Sequence, residues 1–153
     1  MTDNALFDLP APTKAGDTRV IANLLGASLP LTIANLADQQ HRFMLLVVPD
    51  NQTALRLQPE IQQFTGQACH VFPDWETLPY DNFSPHQDII SDRIARLYQL
   101  SQQTAGILII PVSTLLQRVM PRSFLVQHAL MVKKGDVLSL EKLRYKLELS
   151  GYR

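Results

Sequence analysis

Phe43-Met-Leu-Leu-Val-Val48 and Ile107-Leu-Ile-Ile110 are the two stretches on which the fold turns. Both are continuous apolar runs rather than alternating ones, the pattern of strands covered by helices on both faces. Ala68–Phe72 and Ala129–Lys133 are weaker versions of the same signal. Helical segments with recognisable ends lie between them. Leu31–Gln40 follows the Gly26–Pro30 turn, and Asn51–Phe64 has Asp50 as N-cap and Gly66 just past its end. Pro59 removes a backbone donor inside that second helix, so a kink or a restart is expected there.

The clearest helical pattern is Pro85–Leu100, with Ser84 as N-cap, Pro85 as first helical residue and Gln87 at the third position of a capping box. Ile90, Ile94, Leu97 and Tyr98 form its apolar stripe, and Asp92 and Arg96 are an i,i+4 pair on the wet side. Ser139–Ser150 carries Leu140, Leu143 and Leu147 on one face and stops at Gly151. Helices alternating with buried strands define an α/β class, a mostly parallel sheet flanked by helices.

The 153 residues make one ordinary domain, with 1–16 (Pro10, Pro12) an extended lead-in and 17–153 the folded module. A hydrophobic content of 46% against 18% charged residues excludes a disordered tail. Net charge is zero, so the whole molecule has no global attraction to nucleic acid or an anionic membrane. Its distribution is uneven: residues 1–56 carry −1, residues 57–92 carry −6 with no Lys or Arg, and residues 93–153 carry +7. The N-terminus has Asp3 and Asp8 but no basic start and no apolar core of a secretory signal. The apolar runs fall far short of the roughly 20 residues of a membrane span. With a single cysteine, Cys69, no internal disulfide can form, and a cytoplasmic location is expected.

Four places invite chemistry. Gly26-Ala27-Ser28-Leu29-Pro30 falls where a phosphate loop would stand in a nucleotide-binding α/β domain. A working loop needs a lysine to neutralise phosphates and a Ser/Thr hydroxyl for magnesium; here leucine and proline stand in those places, so an ordinary loop is expected. Asp74 to His86 is a long connection rich in aromatics and acids. Its carboxylates and histidine suit acid–base work, but two prolines and the aromatics favour a loop packed over the sheet, anchored by Trp75 and Tyr80, with a binding surface as the next alternative and catalysis after it. Cys69-His70 and His86-x-Asp88 each offer two ligands where zinc needs four, and neighbours on a strand face opposite ways, so no metal is expected. Lys133-Lys134 and Lys142/Arg144/Lys146 lack interleaved aromatics, which favours a solvated basic face over a nucleic-acid site.

Several longer stretches carry a specific resemblance. Val48–Leu57 (VPDNQTALRL), Asp74–Asp81 (DWETLPYD), Phe83–Ser91 (FSPHQDIIS), Ile110–Val119 (IPVSTLLQRV) and the closing Ser150-Gly-Tyr-Arg153 resemble the N-terminal end of the bacterial transcription-repair coupling factors, the Mfd family. The likeness runs from about Leu9 to Arg153. It implies a first module similar to domain 1 of the excision-repair protein UvrB, a degenerate P-loop NTPase fold that has lost its nucleotide site. It also implies a full protein several times longer, with an RNA-polymerase-binding domain and an ATP- and magnesium-dependent motor on DNA. Such a protein displaces stalled RNA polymerase at a lesion and recruits UvrA. The family's UvrA contacts lie mainly beyond this segment, so no site residue transfers. The segment is expected to be non-catalytic, to need no cofactor, and to bind neither duplex DNA nor UvrA tightly on its own. The alternative is a stand-alone nucleotide-binding or hydrolytic α/β enzyme.

Overall fold

The computed structural model describes residues 12–77, 82–128, 132, 134–135 and 137–149. Their elements run, in chain order, α1 (Ser28–Gln40), β1 (Phe43–Val48), α2 (Asn51–Gln62), β2 (Cys69–Val71), α3 (Gln87–Leu100), β3 (Gly106–Pro111), α4 (Val112–Leu115), α5 (Arg122–His128) and α6 (Leu140–Leu149). The chain divides into two compact units. The first is Met1–Ser84 with Gln103–Gln117, the second Pro85–Gln102 with Arg118–Arg153. The sequence gradient of charge maps onto this division: four Lys/Arg against nine Asp/Glu in the first unit, ten against five in the second.

The first unit is a parallel three-stranded sheet in the order β1-β3-β2, with helices against it. Phe43 aligns with Gly106 and Val48 with Pro111, while Cys69 aligns with Ile107. Both expected strand runs are therefore strands, and the α/β class holds. The third expected strand is shortened to Cys69–Val71. Ala129–Lys133 lies, apart from Val132, outside the described residues.

One core forms where α1 and α2 press on one face of the sheet. α1 contributes Ile33, Ala34 and Ala37, spaced i, i+1, i+4, and α2 contributes Ala54, Leu57 and Ile61, spaced i, i+3, i+7. Three of these six residues are alanine, which lets the helix backbones approach closely. They meet Cys69, Ile107 and Ile109 from the strands, with Met44, Leu46 and Val71 packed at the margin.

β3 is buried at all six positions, as its unbroken apolar run requires. β1 is not. Its burial alternates, with Phe43, Leu45 and Val47 exposed and Met44 and Leu46 turned inward, so cover on both faces is corrected to cover on one. An apolar run reports only that each side chain could be buried; it does not supply the neighbour that buries it.

Helix ends also moved. α1 begins at Ser28, three residues before the expected Leu31, because Pro30 is accommodated in the first turn where its missing N–H has no helical partner to lose. α2 starts on Asp50, whose carboxylate accepts from Thr53 N at 2.7 Å, as the sequence indicated. It runs unbroken across Pro59 to Gln62, two residues short of the expected Phe64. Both Pro59 and Leu55 are exposed, so the carbonyl that proline leaves without a donor lies on the wet side of the helix.

In the second unit α3 starts at Gln87, not Pro85, and its N-cap is His86 rather than Ser84. His86 has an extended backbone, and its Nδ1 accepts from Asp88 N at 3.3 Å. The expected stripe Ile90, Ile94, Leu97 and Tyr98 is only half-buried, and the buried residue of α3 is Arg93. Arg96 donates to Gln99 Oε1 at 3.1 Å, three residues onward, instead of pairing back with Asp92. α3 packs on α5, and Arg122 Nη2 donates to Ser101 O at 2.8 Å. α5 had no expectation behind it, being only seven residues with no periodic run. α6 matches the expected Ser139–Ser150 within a residue at each end, and its stop, Gly151, lies outside the described residues.

Candidate functional site

In parallel α/β sheets ligands gather at the carboxyl ends of the strands. Here that rim is formed by the segments after Val48, Val71 and Pro111. Residues 49–52, 72–76 and 112–117 contain Asp50, Asp74 and Glu76 and no Lys or Arg. Asp50 spends its carboxylate on the α2 N-terminus, and the Thr53 backbone N–H holds its carboxyl below the usual range, so it stays ionised. Asp74 is half-buried; its Oδ1 accepts from Trp75 N at 2.8 Å and from Gln117 Nε2 at 2.9 Å. That carboxylate ties the start of the aromatic connection to the segment after α4, a structural duty. Trp75 beside it is half-buried, Glu76 is exposed with φ +57°, and Tyr80 lies outside the described residues.

The candidate phosphate loop is a helix entry. Gly26 adopts φ +57°, Ala27 is the N-cap without a side-chain hydrogen bond, and Ser28 Oγ donates to Leu25 O at 2.7 Å. Leu29 packs against the core and Pro30 is fully buried. Both positions where a cation and a magnesium ligand are needed therefore carry side chains committed to packing. A shallow cleft of about 320 Å³ lies beside the loop, lined by Gly26, Ala27, Pro30, Arg56, Glu60 and neighbours. Arg56 is its cation, but Arg56 Nη1 contacts both carboxylate oxygens of Glu60 at 3.2 Å. An incoming phosphate would meet that carboxylate together with the arginine.

The metal candidates do not converge. Cys69 is buried in the core, and burial pushes its thiol up to about 11, so it is a protonated small hydrophobe and not a thiolate ligand. His70 is on the opposite face, paired in register with Leu108. His86 and Asp88 lie 3.3 Å apart but are exposed, and His86 is already the α3 cap. Among the described residues no group of three His, Cys, Asp or Glu could hold an ion. In the basic third, Lys134, Lys142 and Arg144 are exposed; Lys133 and the side chain of Lys146 lie outside the described part.

One polar cluster escaped sequence reasoning. Thr65 Oγ1 donates to Asp38 Oδ1 at 2.5 Å, and Gln67 Nε2 donates to Ala37 O at 2.7 Å and to Asp38 Oδ1 at 3.2 Å. These bonds pin the turn before β2 to the C-terminal end of α1, beside a cleft of about 350 Å³ at the amino end of the strands. The partners are 27 to 30 residues apart, so no local motif announces them.

As a class, the first unit is a small parallel α/β sheet flanked by helices, with an acidic carboxyl rim. Sequence comparison gives the family. No family model matches the chain. The chain is 52% identical over 142 residues to the transcription-repair-coupling factor of Escherichia coli (strain K12), a match covering 93% of this chain and 12% of that protein. It is 41% identical over 149 residues to the transcription-repair-coupling factor of Haemophilus influenzae, covering 97% and 13%. The protein of the same name from Rickettsia prowazekii is 29% identical over 113 residues. The chain belongs to the transcription-repair-coupling factor family, and it spans about an eighth of the length of the curated relatives it matches.

Proposed function

We propose that this chain is the non-catalytic N-terminal module of a transcription-repair coupling factor, a UvrB-like domain whose nucleotide loop has become a structural helix entry. The observation that carries the reading is the packing of Leu29 and Pro30 into the protein at the α1 N-terminus, where catalysis on a nucleoside triphosphate requires a free cation and a hydroxyl. The acidic rim adds to it: Asp50, Asp74 and Glu76 repel a polyphosphate where such a ligand would sit. Displacement of stalled RNA polymerase, translocation on DNA with ATP and magnesium, and recruitment of UvrA then belong to the longer cytoplasmic protein. The module serves that protein as a scaffold.

The test is calorimetric titration of the 153-residue chain with magnesium-ATP. We expect no heat of binding up to millimolar nucleotide. A dissociation constant of about 10 μM, near −7 kcal/mol, would overturn the reading and restore the stand-alone nucleotide enzyme.

A further inference from the structure

The C-terminal end of α1 collects acceptors and lacks donors. The helix closes on His41, whose backbone is left-handed at φ 45° and whose N–H donates to Ala37 O at 3.1 Å. Its last turn holds no basic residue, so the negative end of the helix dipole is not neutralised there. Asp38 lies in that turn, half-buried. Its Oδ1 is taken by Thr65 Oγ1 and Gln67 Nε2, whereas its Oδ2 has no donor among the described residues. In the same cluster Gln67 Oε1 is buried without a partner, although buried polar atoms are nearly always bonded.

Asp38, His41 and Gln67 line the cleft of about 350 Å³ at this end of the sheet, and the rest of its wall is glycine and alanine from the turn before β2 and the start of β3. No Lys or Arg is among the lining residues. The small residues leave room for a ligand to reach the carboxylate. A free carboxylate oxygen, a negative helix end and a surplus of acceptors together call for a cation rich in N–H groups. Guanidinium fits better than ammonium. It is planar, carries five N–H donors in a fixed fork, and is more weakly hydrated, so it gives up less solvent on entering a half-buried site.

We propose that this cleft binds a guanidinium group, with Asp38 Oδ2 as its charged acceptor and the C-terminal end of α1 as the dipole that favours it. Free arginine and an arginine side chain within a polypeptide present the same fork, and the site reads that fork. The cleft lies at the opposite end of α1 from the Gly26–Pro30 helix entry, so the titration above and the test below fail independently.

The test is an amide NMR titration of this chain, at constant ionic strength, with methylguanidinium, methylammonium, L-arginine and a capped Gly-Arg-Gly peptide. The expected result is saturable shifts at Thr65, Gln67 and Gly106 with methylguanidinium, at a dissociation constant of about 1–10 mM. Methylammonium should bind at least about fivefold more weakly, having no fork. Binding of L-arginine without the peptide assigns the site to the free amino acid, and binding of the peptide assigns it to a side chain carried by a polypeptide; both support the proposal. No saturable shift with any guanidinium probe up to about 50 mM overturns it, and so does methylammonium binding as tightly. Asp38→Asn keeps an oxygen for Thr65 and Gln67 but turns the free oxygen into an N–H donor, so affinity should fall at least about tenfold. Gly66→Leu is the second variant. A Cβ there meets no atom within 4 Å, so the side chain adds bulk at the cleft without strain and should block binding. Unchanged affinity in a folded form of either variant counts against the proposal.

Discussion

Replacing Gly106 with alanine tests the sheet register at its tightest point. Gly106 opens β3 with φ +120°, a backbone region that residues with a Cβ rarely enter. A Cβ there would lie 2.9 Å from Ala68 O, and that oxygen cannot swing away because it accepts the Ile107 N–H at 2.8 Å. The unfavourable φ costs about 1–3 kcal/mol, and displacing the β2 carbonyl weakens a hydrogen bond worth about 0.5–1.5 kcal/mol. Together the loss is about 2–4 kcal/mol, a large share of the roughly 5–15 kcal/mol that holds an ordinary domain. Urea unfolding followed through Trp75, the sole tryptophan and a member of the same unit, measures it directly. Gly66→Ala is the matched control, since Gly66 has no atom within 4 Å of a Cβ and its φ is not positive. It should change stability by less than about 0.5 kcal/mol. If Gly106→Ala unfolds at the same midpoint and slope as Gly66→Ala, the register of β2 against β3 is wrong.

Three further outcomes follow from the core and its edges. Leu57→Ala should cost about 2–5 kcal/mol in the same assay, since Leu57 is fully buried between α1 and the sheet. An effect under about 1 kcal/mol would mean that α2 does not seal the core. Cys69 should resist a thiol reagent at pH 8 until the chain unfolds. Because burial raises its thiol to about 11 in the fold against an ordinary 9.0, the unfolded chain releases its proton first, so the Cys69 contribution to stability should be constant below about pH 9 and fall from pH 9 to 11; Cys69→Ala should remove that fall. Asp50 has the opposite sign. Its carboxyl is held down by the Thr53 N–H, so its contribution is present above the ordinary carboxylate range and lost as pH falls through it. Asp50→Asn should flatten this acid limb while keeping most of the cap, and an unchanged limb would assign it to other carboxylates.

The sequence revealed most where a signal was local. Asp50 three residues before Thr53, the apolar run of β3, and the alternation of helices with strands each depend on neighbours within one turn or one strand, and each is present. Errors collected where two local signals competed. Ser84 and Pro85 make a good helix start on paper, but His86 stays extended and caps the helix itself, so α3 begins two residues later. Pro30 looked like the end of a turn and is instead the third residue of α1. The Asp38–Thr65–Gln67 cluster was invisible because it joins the end of one helix to the entry of a strand through three side chains with no common motif.

The candidate site was legible in a different sense: the absence of a lysine can be read from the letters, but the reason the loop remains ordered without a ligand cannot. In a working phosphate loop the bound anion satisfies the free N–H groups of the helix entry. Here Leu29 packs on the core and Pro30 is buried, and Pro30 also removes one of the N–H groups that would need a partner. β1 shows the same limit of the letters. Its run Phe43–Val48 has the composition of a strand covered on both faces, yet its burial alternates, because an apolar side chain reports that it could be buried and not which neighbour buries it.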